Sequence, residues 1–176
     1  LSTLRVTPWL PAAALVLCNL LDHHTHELVP RAPLSVLEKQ VERARAMGFE
    51  TIAIARGAGK ADDARELGAH HYIDSTAGDV AEAMQALGGA QVVLATAANS
   101  AAMGATVGGL APQGELVIIG ATFDPLPITP GDLIFGNYSV IGHPSGSAAA
   151  IEDTMHFALL SGVRARTEEQ PLAEAD

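Results

Sequence analysis

Apolar and polar positions alternate along this chain in two rhythms, one of strands and one of helices. Thr51-Ile52-Ala53-Ile54-Ala55 is a short apolar run, β-branched at three positions and bounded by Gly48 and Gly57. Such a run fits a strand buried on both faces. Lys60 to Leu67 has helical composition and ends at Gly68, where a helix C-cap glycine belongs. His71-Tyr72-Ile73-Asp74 then reads as a second strand. Strand, helix and strand in so few residues make a βαβ crossover, the unit of a doubly wound parallel sheet.

The same rhythm continues on both sides. Val36-Leu37, Val41, Ala44 and Met47 recur at helical spacing, and Ser35 with Glu38 forms a capping box, so 36–47 is predicted to be an amphipathic helix. Asp79 to Leu87 reads as a helix closed by Gly88-Gly89, Gln91 to Ala95 as a strand, and Asn99 as the cap of a helix to about Leu110. Pro112-Gln113-Gly114 is a turn before the strongest strand, Glu115 to Gly120. A proline-bearing loop follows, with a single turn at Asp132 to Phe135, a strand at Tyr138 to Gly142 and a helix from Ser147 to Leu160. Ala12 to Leu21 is a buried strand or a helix; its periodicity does not decide which. Val163 to Thr167 is extended, and the end of the chain is polar.

Composition narrows the class. Hydrophobic residues are 48% and charged residues 17%, which marks a globular chain rather than a disordered one. Aromatics are only 4%, so the core is built from Ala, Val, Ile and Leu, as suits a tightly packed α/β sheet. A net charge of −10 argues against a nucleic-acid partner. Cys18 is the only cysteine, which excludes a disulfide framework and a thiolate zinc cluster and fits a reducing, cytoplasmic compartment. The apolar run Trp9 to Leu21 is too short for a bilayer span and lacks a signal-peptide cleavage site after it. His23, His24 and His26 invite a metal reading but come without a fourth ligand, so an exposed loop is the simpler reading.

Four segments carry a resemblance: ARAMGFETIAIARG, KADDARELGAHHYIDS, GGLAPQGELVIIG and SVIGHPSGS…IEDTMHFALLSGV. Through them, residues of about 41–172 resemble the C-terminal two-thirds of the cofactor domain of medium-chain, zinc-type alcohol dehydrogenases. The resemblance implies a Rossmann fold: a doubly wound, mostly parallel α/β sheet, whose first strand is either Ala13 to Cys18 or lacking. It implies a dinucleotide-binding-like domain over 33–165, an unassigned segment over 1–32 and a C-terminal return segment over 166–176. The implied function is the cofactor module of an NAD(P)-dependent oxidoreductase that moves hydride between alcohol or aldehyde and nicotinamide. The alternative is a truncated or degenerate Rossmann domain that binds dinucleotide weakly or not at all. A methyltransferase-like Rossmann domain is a third reading, but it wants an acidic residue near Ala55 and a glycine-rich first loop.

The resemblance also implies sites. At the end of the second strand, the family's ribose-binding carboxylate aligns with Ala55, followed by Arg56. A small apolar residue and a guanidinium suit a 2′-phosphate, with Lys60 adding charge, so NADP(H) is expected over NAD(H). The alternative is that Arg56 and Lys60 are solvated surface charges. The nicotinamide half is expected against Thr96-Ala97, Gly120-Ala121 and Gly142-His143, or these are ordinary turn residues. The family's pyrophosphate glycines fall at about residues 32–37, where this chain has Ala32, Pro33, Leu34, Ser35, Val36 and Leu37. That cradle is therefore expected to be broken. The family's zinc is held by a separate catalytic domain, so no catalytic residue and no metal ligand is assigned in this chain. His70 and His71 are read as structural. The last strand, Tyr138 to Gly142, is an edge through which a homodimer is expected. The partners expected are a dinucleotide and, given a catalytic domain, a small alcohol or aldehyde, with no membrane and no nucleic acid.

Overall fold

The structure, a computed structural model, describes residues 14–19, 35–143 and 146–163, with side chains from Val41 onward. The ambiguous apolar run near the N-terminus resolves as strand β1 (Ala14–Asn19). It is followed by α1 (Ser35–Ala46), β2 (Glu50–Ala55), a 3₁₀ turn at Ala58–Lys60, α2 (Ala61–Glu66) and β3 (His71–Asp74). Then come α3 (Val80–Ala86), β4 (Ala90–Ala95), α4 (Ser100–Gly104) and β5 (Leu110–Ile118). The last elements are α5 (Pro130–Gly136), β6 (Ser139–Gly142) and α6 (Ala148–Ser161).

The strands form one parallel sheet in the order β3-β2-β1-β4-β5-β6. This is the doubly wound order of dinucleotide-binding folds. The strand that the expectation left in question therefore holds the centre, between β2 and β4. Register levels the C-terminal ends of all six strands. Asn19 pairs with Ala55 and Ala55 with Asp74; on the other side Cys18 pairs with Ala95, Ala95 with Ile118 and Ile118 with Gly142. The chain winds outward from β1 in one direction and from β4 in the other, so a crevice opens between them at this edge.

The period-2 alternation of β2 divides its side chains between two cores. Ile52 and Ile54 join Ile73, Val80, Met84, Val93, Met103 and Leu116 on one side. Ala53 joins Val41, Ala64, Leu67 and Ala69 on the other, under α1 and α2. Burying each large aliphatic side chain contributes about 1.5–3 kcal/mol, and these clusters are the main source of stability. Thr51 is the polar exception within β2. It is fully buried, its Oγ1 donates to Gly68 O at 3.2 Å, and its N–H donates to His70 Nδ1 at 3.0 Å.

Four local expectations change. The helix capped by Asn99 stops at Gly104, and a 3₁₀ turn at Val107–Gly109 leads into β5. Gly104, Gly108 and Gly109 weaken helix propensity there, and Gly104 lies against Pro127, where a longer side chain would clash. The Pro112–Gly114 turn lies inside β5 as an irregularity: Gln113 has φ 64°, and the pairing with β4 shifts register between Ala90 and Val92. Asp132 to Phe135 is part of a longer helix, α5, because Thr129 and Asp132 form a reciprocal capping box with Pro130 at the first position. Met47 is exposed rather than packed, because α1 ends at Ala46. The His23, His24 and His26 cluster, Ala32 to Leu34 and the segment after Val163 lie outside the described residues.

Candidate functional site

The C-terminal edge of the sheet carries the candidate site. A cleft of about 280 Å³ opens at the ends of β2 and β3. It is lined by Ile54 and Arg56 at the end of β2, by Ser75 and Thr76 just after β3, and by Val80 at the start of α3. Asn99, Ala101 and Ala102 at the start of α4, with Ala105 and Thr106 just after it, complete the lining. Asn99 is there because it caps α4: its side chain accepts from Ala102 N at 2.9 Å. An apolar lining with small residues and a few polar groups suits a flat heterocycle with polar substituents.

Ala55 and Arg56 sit side by side but do different things. Ala55 is fully buried at the last position of β2, and its carbonyl accepts from Ser75 N at 3.0 Å. Arg56 is exposed and lines the cleft. Lys60 closes the following 3₁₀ turn and is not part of the cleft lining.

The turn that carries Arg56 is held from β3. Gly57 has φ 82° and ψ 144°, a conformation that is essentially glycine's alone. Its N–H donates to Asp74 Oδ1 at 2.8 Å, and its carbonyl accepts from Tyr72 Oη at 2.6 Å. The same Oδ1 accepts from Thr76 N at 2.9 Å and Thr76 Oγ1 at 2.7 Å. The Thr76 hydroxyl, then the Thr76 and Gly57 amides, hold the Asp74 carboxyl below its ordinary value. Burial, and secondarily the Asp74 charge, push the Tyr72 phenol up.

On the other side of the crevice the structure brings Thr96, Ala97 and Gly120 into contact. The N–H groups of Ile119 and Gly120 both donate to Ala95 O, at 2.9 and 3.0 Å. A Cβ on Gly120 would lie 2.8 Å from Thr96 O and closer still to the Ala97 carbonyl. Glycine is therefore required by close approach and not by backbone angle. Ala121 is exposed just beyond. Gly142 ends β6 in open space, and His143 N donates to Ile118 O at 2.9 Å. The three expected pairs thus line adjacent strand ends, β4, β5 and β6.

Ala55, Arg56 and the small residues after β4, β5 and β6 stand at the strand ends where the sequence expects them, while Ser75, Thr76, Asp74 and Tyr72, which gather beside Arg56 and Gly57, carry no expectation in the sequence. The available signal was Ser75-Thr76 directly after a strand, a pair that often turns back on its own backbone. His70 and His71 are structural. His70 Nδ1 accepts from Thr51 N at 3.0 Å, and His71 Nε2 pairs with Glu50 Oε1 at 2.8 Å. Among the described residues no three His, Cys, Asp or Glu side chains gather to hold a metal, so these residues do not fit a zinc site. None of the described helices is long and apolar enough to cross a membrane.

A doubly wound parallel sheet with a cleft at its C-terminal edge is an architecture of nucleotide-binding domains. The sequence profile of the zinc-binding dehydrogenase family matches residues 40–159, and the chain belongs to that family through its cofactor-binding domain. It is 37% identical over 135 residues to alcohol dehydrogenase notN of Aspergillus sp. (strain MF297-2), covering 77% of this chain and 40% of that protein. It is 34% identical over 132 residues to alcohol dehydrogenase patD of Penicillium expansum, covering 75% and 38%. Among solved structures, the cinnamyl alcohol dehydrogenase SbCAD4 of Sorghum bicolor superposes with a TM-score of 0.71 at 25% identity, covering 94% of this chain and 43% of that one. The chain thus spans about two-fifths of the length of the curated relatives it matches.

Proposed function

We propose that this chain is the cofactor-binding module of a zinc-type alcohol dehydrogenase-like oxidoreductase and that it binds NADP(H) in preference to NAD(H). The observation that carries this reading is the cleft at the ends of β2 and β3, with Arg56 in its lining and Ala55 where a ribose-binding carboxylate would stand. Adenine fits the apolar lining of Ile54, Val80 and the alanines of α4. Arg56 grips a 2′-phosphate with paired hydrogen bonds, whereas a carboxylate at position 55 would repel it. The nicotinamide ring lies against Thr96-Ala97, Gly120-Ala121 and Gly142-His143, small residues at three successive strand ends. The nicotinamide, when bound, supplies the hydride acceptor or donor. The residues of this chain hold and orient it; the alcohol or aldehyde and its zinc belong to a catalytic domain that the described residues do not provide.

A second reading is that the chain binds dinucleotide weakly or not at all. It is favoured by one observation: Ser35, Val36 and Leu37, aligned with the pyrophosphate glycines, form the first turn of α1. Titration of the chain with NADPH and NADH, followed by thermal shift and calorimetry, separates the two. Stabilisation by NADPH at concentrations where NADH has no effect supports the first reading, and no shift with either supports the second.

The cytoplasm is the compartment that fits a single cysteine and a nicotinamide cofactor. A homodimer joined along β6 completes the proposal. That strand is the edge of the sheet, has no charged residue and exposes Ile141. Light scattering at high concentration tests it: a dimer that Ile141→Lys dissociates supports the edge, and a monomer refutes it.

A further inference from the structure

We propose that Asp74 is a positioning residue for cofactor selectivity, fixing the turn that aims Arg56 at the 2′ position of the adenosine ribose; this rests on the NADP(H) reading above. Asp74 ends β3 beside Ala55, its register partner on β2. One oxygen of its carboxylate gathers three donors: Gly57 N, Thr76 N and Thr76 Oγ1, at 2.8, 2.9 and 2.7 Å. Gly57 follows Arg56 directly, and Thr76 lines the same cleft as Arg56. A single atom therefore ties together two chain segments that line this cleft. Tyr72 completes the grip by donating to the Gly57 carbonyl at 2.6 Å, so both polar groups of Gly57 are held by side chains of β3.

The grip matters because β2 has ended. Gly57, two residues past its end, is of the residue type with the widest choice of backbone conformations. A guanidinium recognises a phosphate through a fixed fork, so a swinging backbone forfeits selectivity before it forfeits binding of the adenine.

The experiment measures binding of 2′,5′-ADP and 5′-AMP to the full chain by calorimetry, since these half-cofactors bypass the pyrophosphate turn. The variants are Arg56→Ala, Asp74→Ala, Asp74→Asn, Tyr72→Phe and the Arg56→Ala/Asp74→Ala pair. The wild type is expected to favour 2′,5′-ADP by about tenfold, the worth of one charge-assisted hydrogen bond. Arg56→Ala removes that preference. Asp74→Ala lowers it by about fivefold with 5′-AMP binding little changed, Tyr72→Phe lowers it by about twofold, and the double variant loses no more than Arg56→Ala alone. Asp74→Asn, which keeps an acceptor oxygen, retains most of it. If Arg56→Ala removes the preference while Asp74→Ala and Tyr72→Phe leave it intact, the positioning role is overturned and the NADP(H) reading stands. If Arg56→Ala changes nothing, both fall. Should Asp74→Ala fail to fold, the Tyr72→Phe and Asp74→Asn arms decide.

Discussion

Gly120 is the position at which the geometry of the β4–β5 crevice can be tested most directly. It follows β5, and its N–H donates to Ala95 O at 3.0 Å. Its φ is not in the left-handed region, so alanine meets no conformational penalty there. The obstacle is steric: a Cβ would lie 2.6 Å from the Ala97 carbonyl carbon and 2.8 Å from Thr96 O. Both neighbours are backbone and cannot rotate aside. Forced overpacking costs about 1–3 kcal/mol, and the rigid neighbours put Gly120→Ala at the upper end. Pushing β4 and β5 apart also weakens the paired hydrogen bonds to Ala95 O, each worth about 0.5–1.5 kcal/mol. A domain of this size loses about 2–4 °C of melting temperature per kcal/mol, so a loss of about 3 kcal/mol lowers Tm by roughly 6–12 °C. Thermal unfolding by circular dichroism measures this, with Gly142→Ala as the control. Gly142 has nothing within 4 Å of its built Cβ and no positive φ, so that change is expected to stay within about 0.5 kcal/mol. On the proposed cofactor placement, Gly120→Ala should also weaken NADPH binding while leaving 2′,5′-ADP binding unchanged, because the distortion lies at the strand ends assigned to the nicotinamide. A Tm within about 1 °C of wild type would refute the close approach of these strand ends.

Three further outcomes are expected. Gly57→Ala has open space for its methyl group but must adopt φ 82°, so it should cost about 1–3 kcal/mol in denaturant titration without any core defect. Leu116→Ala empties a fully buried position of the larger core and should cost about 2–5 kcal/mol with an unchanged m-value. Asp74 titrates below its ordinary value of 3.8 in the folded protein, so the stabilisation it contributes is fully present above that value and is lost as pH falls through the folded pKa. Tm measured from neutral pH down to strongly acidic pH should therefore fall less steeply at the acid end for Asp74→Asn than for wild type.

Much of the fold is legible in local sequence because its causes are local. The β-branched run at Thr51–Ala55, the glycines that end helices at Gly48, Gly68 and Gly162, and the caps at Asp79, Asn99 and Ser147 each act within one turn of chain. Two of the errors fall where a distant partner intervened. Gly104 ends α4 against Pro127, and Pro112 to Gly114 continue β5 because β4 pairs with Leu110 before them and Glu115 after them. The candidate site divides in the same way. Ala55, Arg56 and the small residues after β4, β5 and β6 are readable as strand ends. Tyr72 and Asp74 matter because they reach across to Gly57, 15 and 17 residues earlier in the chain.

By itself the sequence determined the class of fold, through hydrophobic periods and turn residues, and it determined the absence of a carboxylate at position 55. Only the tertiary structure decided that Ala14–Asn19 occupies the centre of the sheet. A short continuous apolar run carries no period to distinguish strand from helix, and only its pairing with β2 and β4 defines it. Likewise only the fold set Asp74 against Gly57, because hydrogen bonds between neighbouring parallel strands join residues that the chain keeps a whole helix apart.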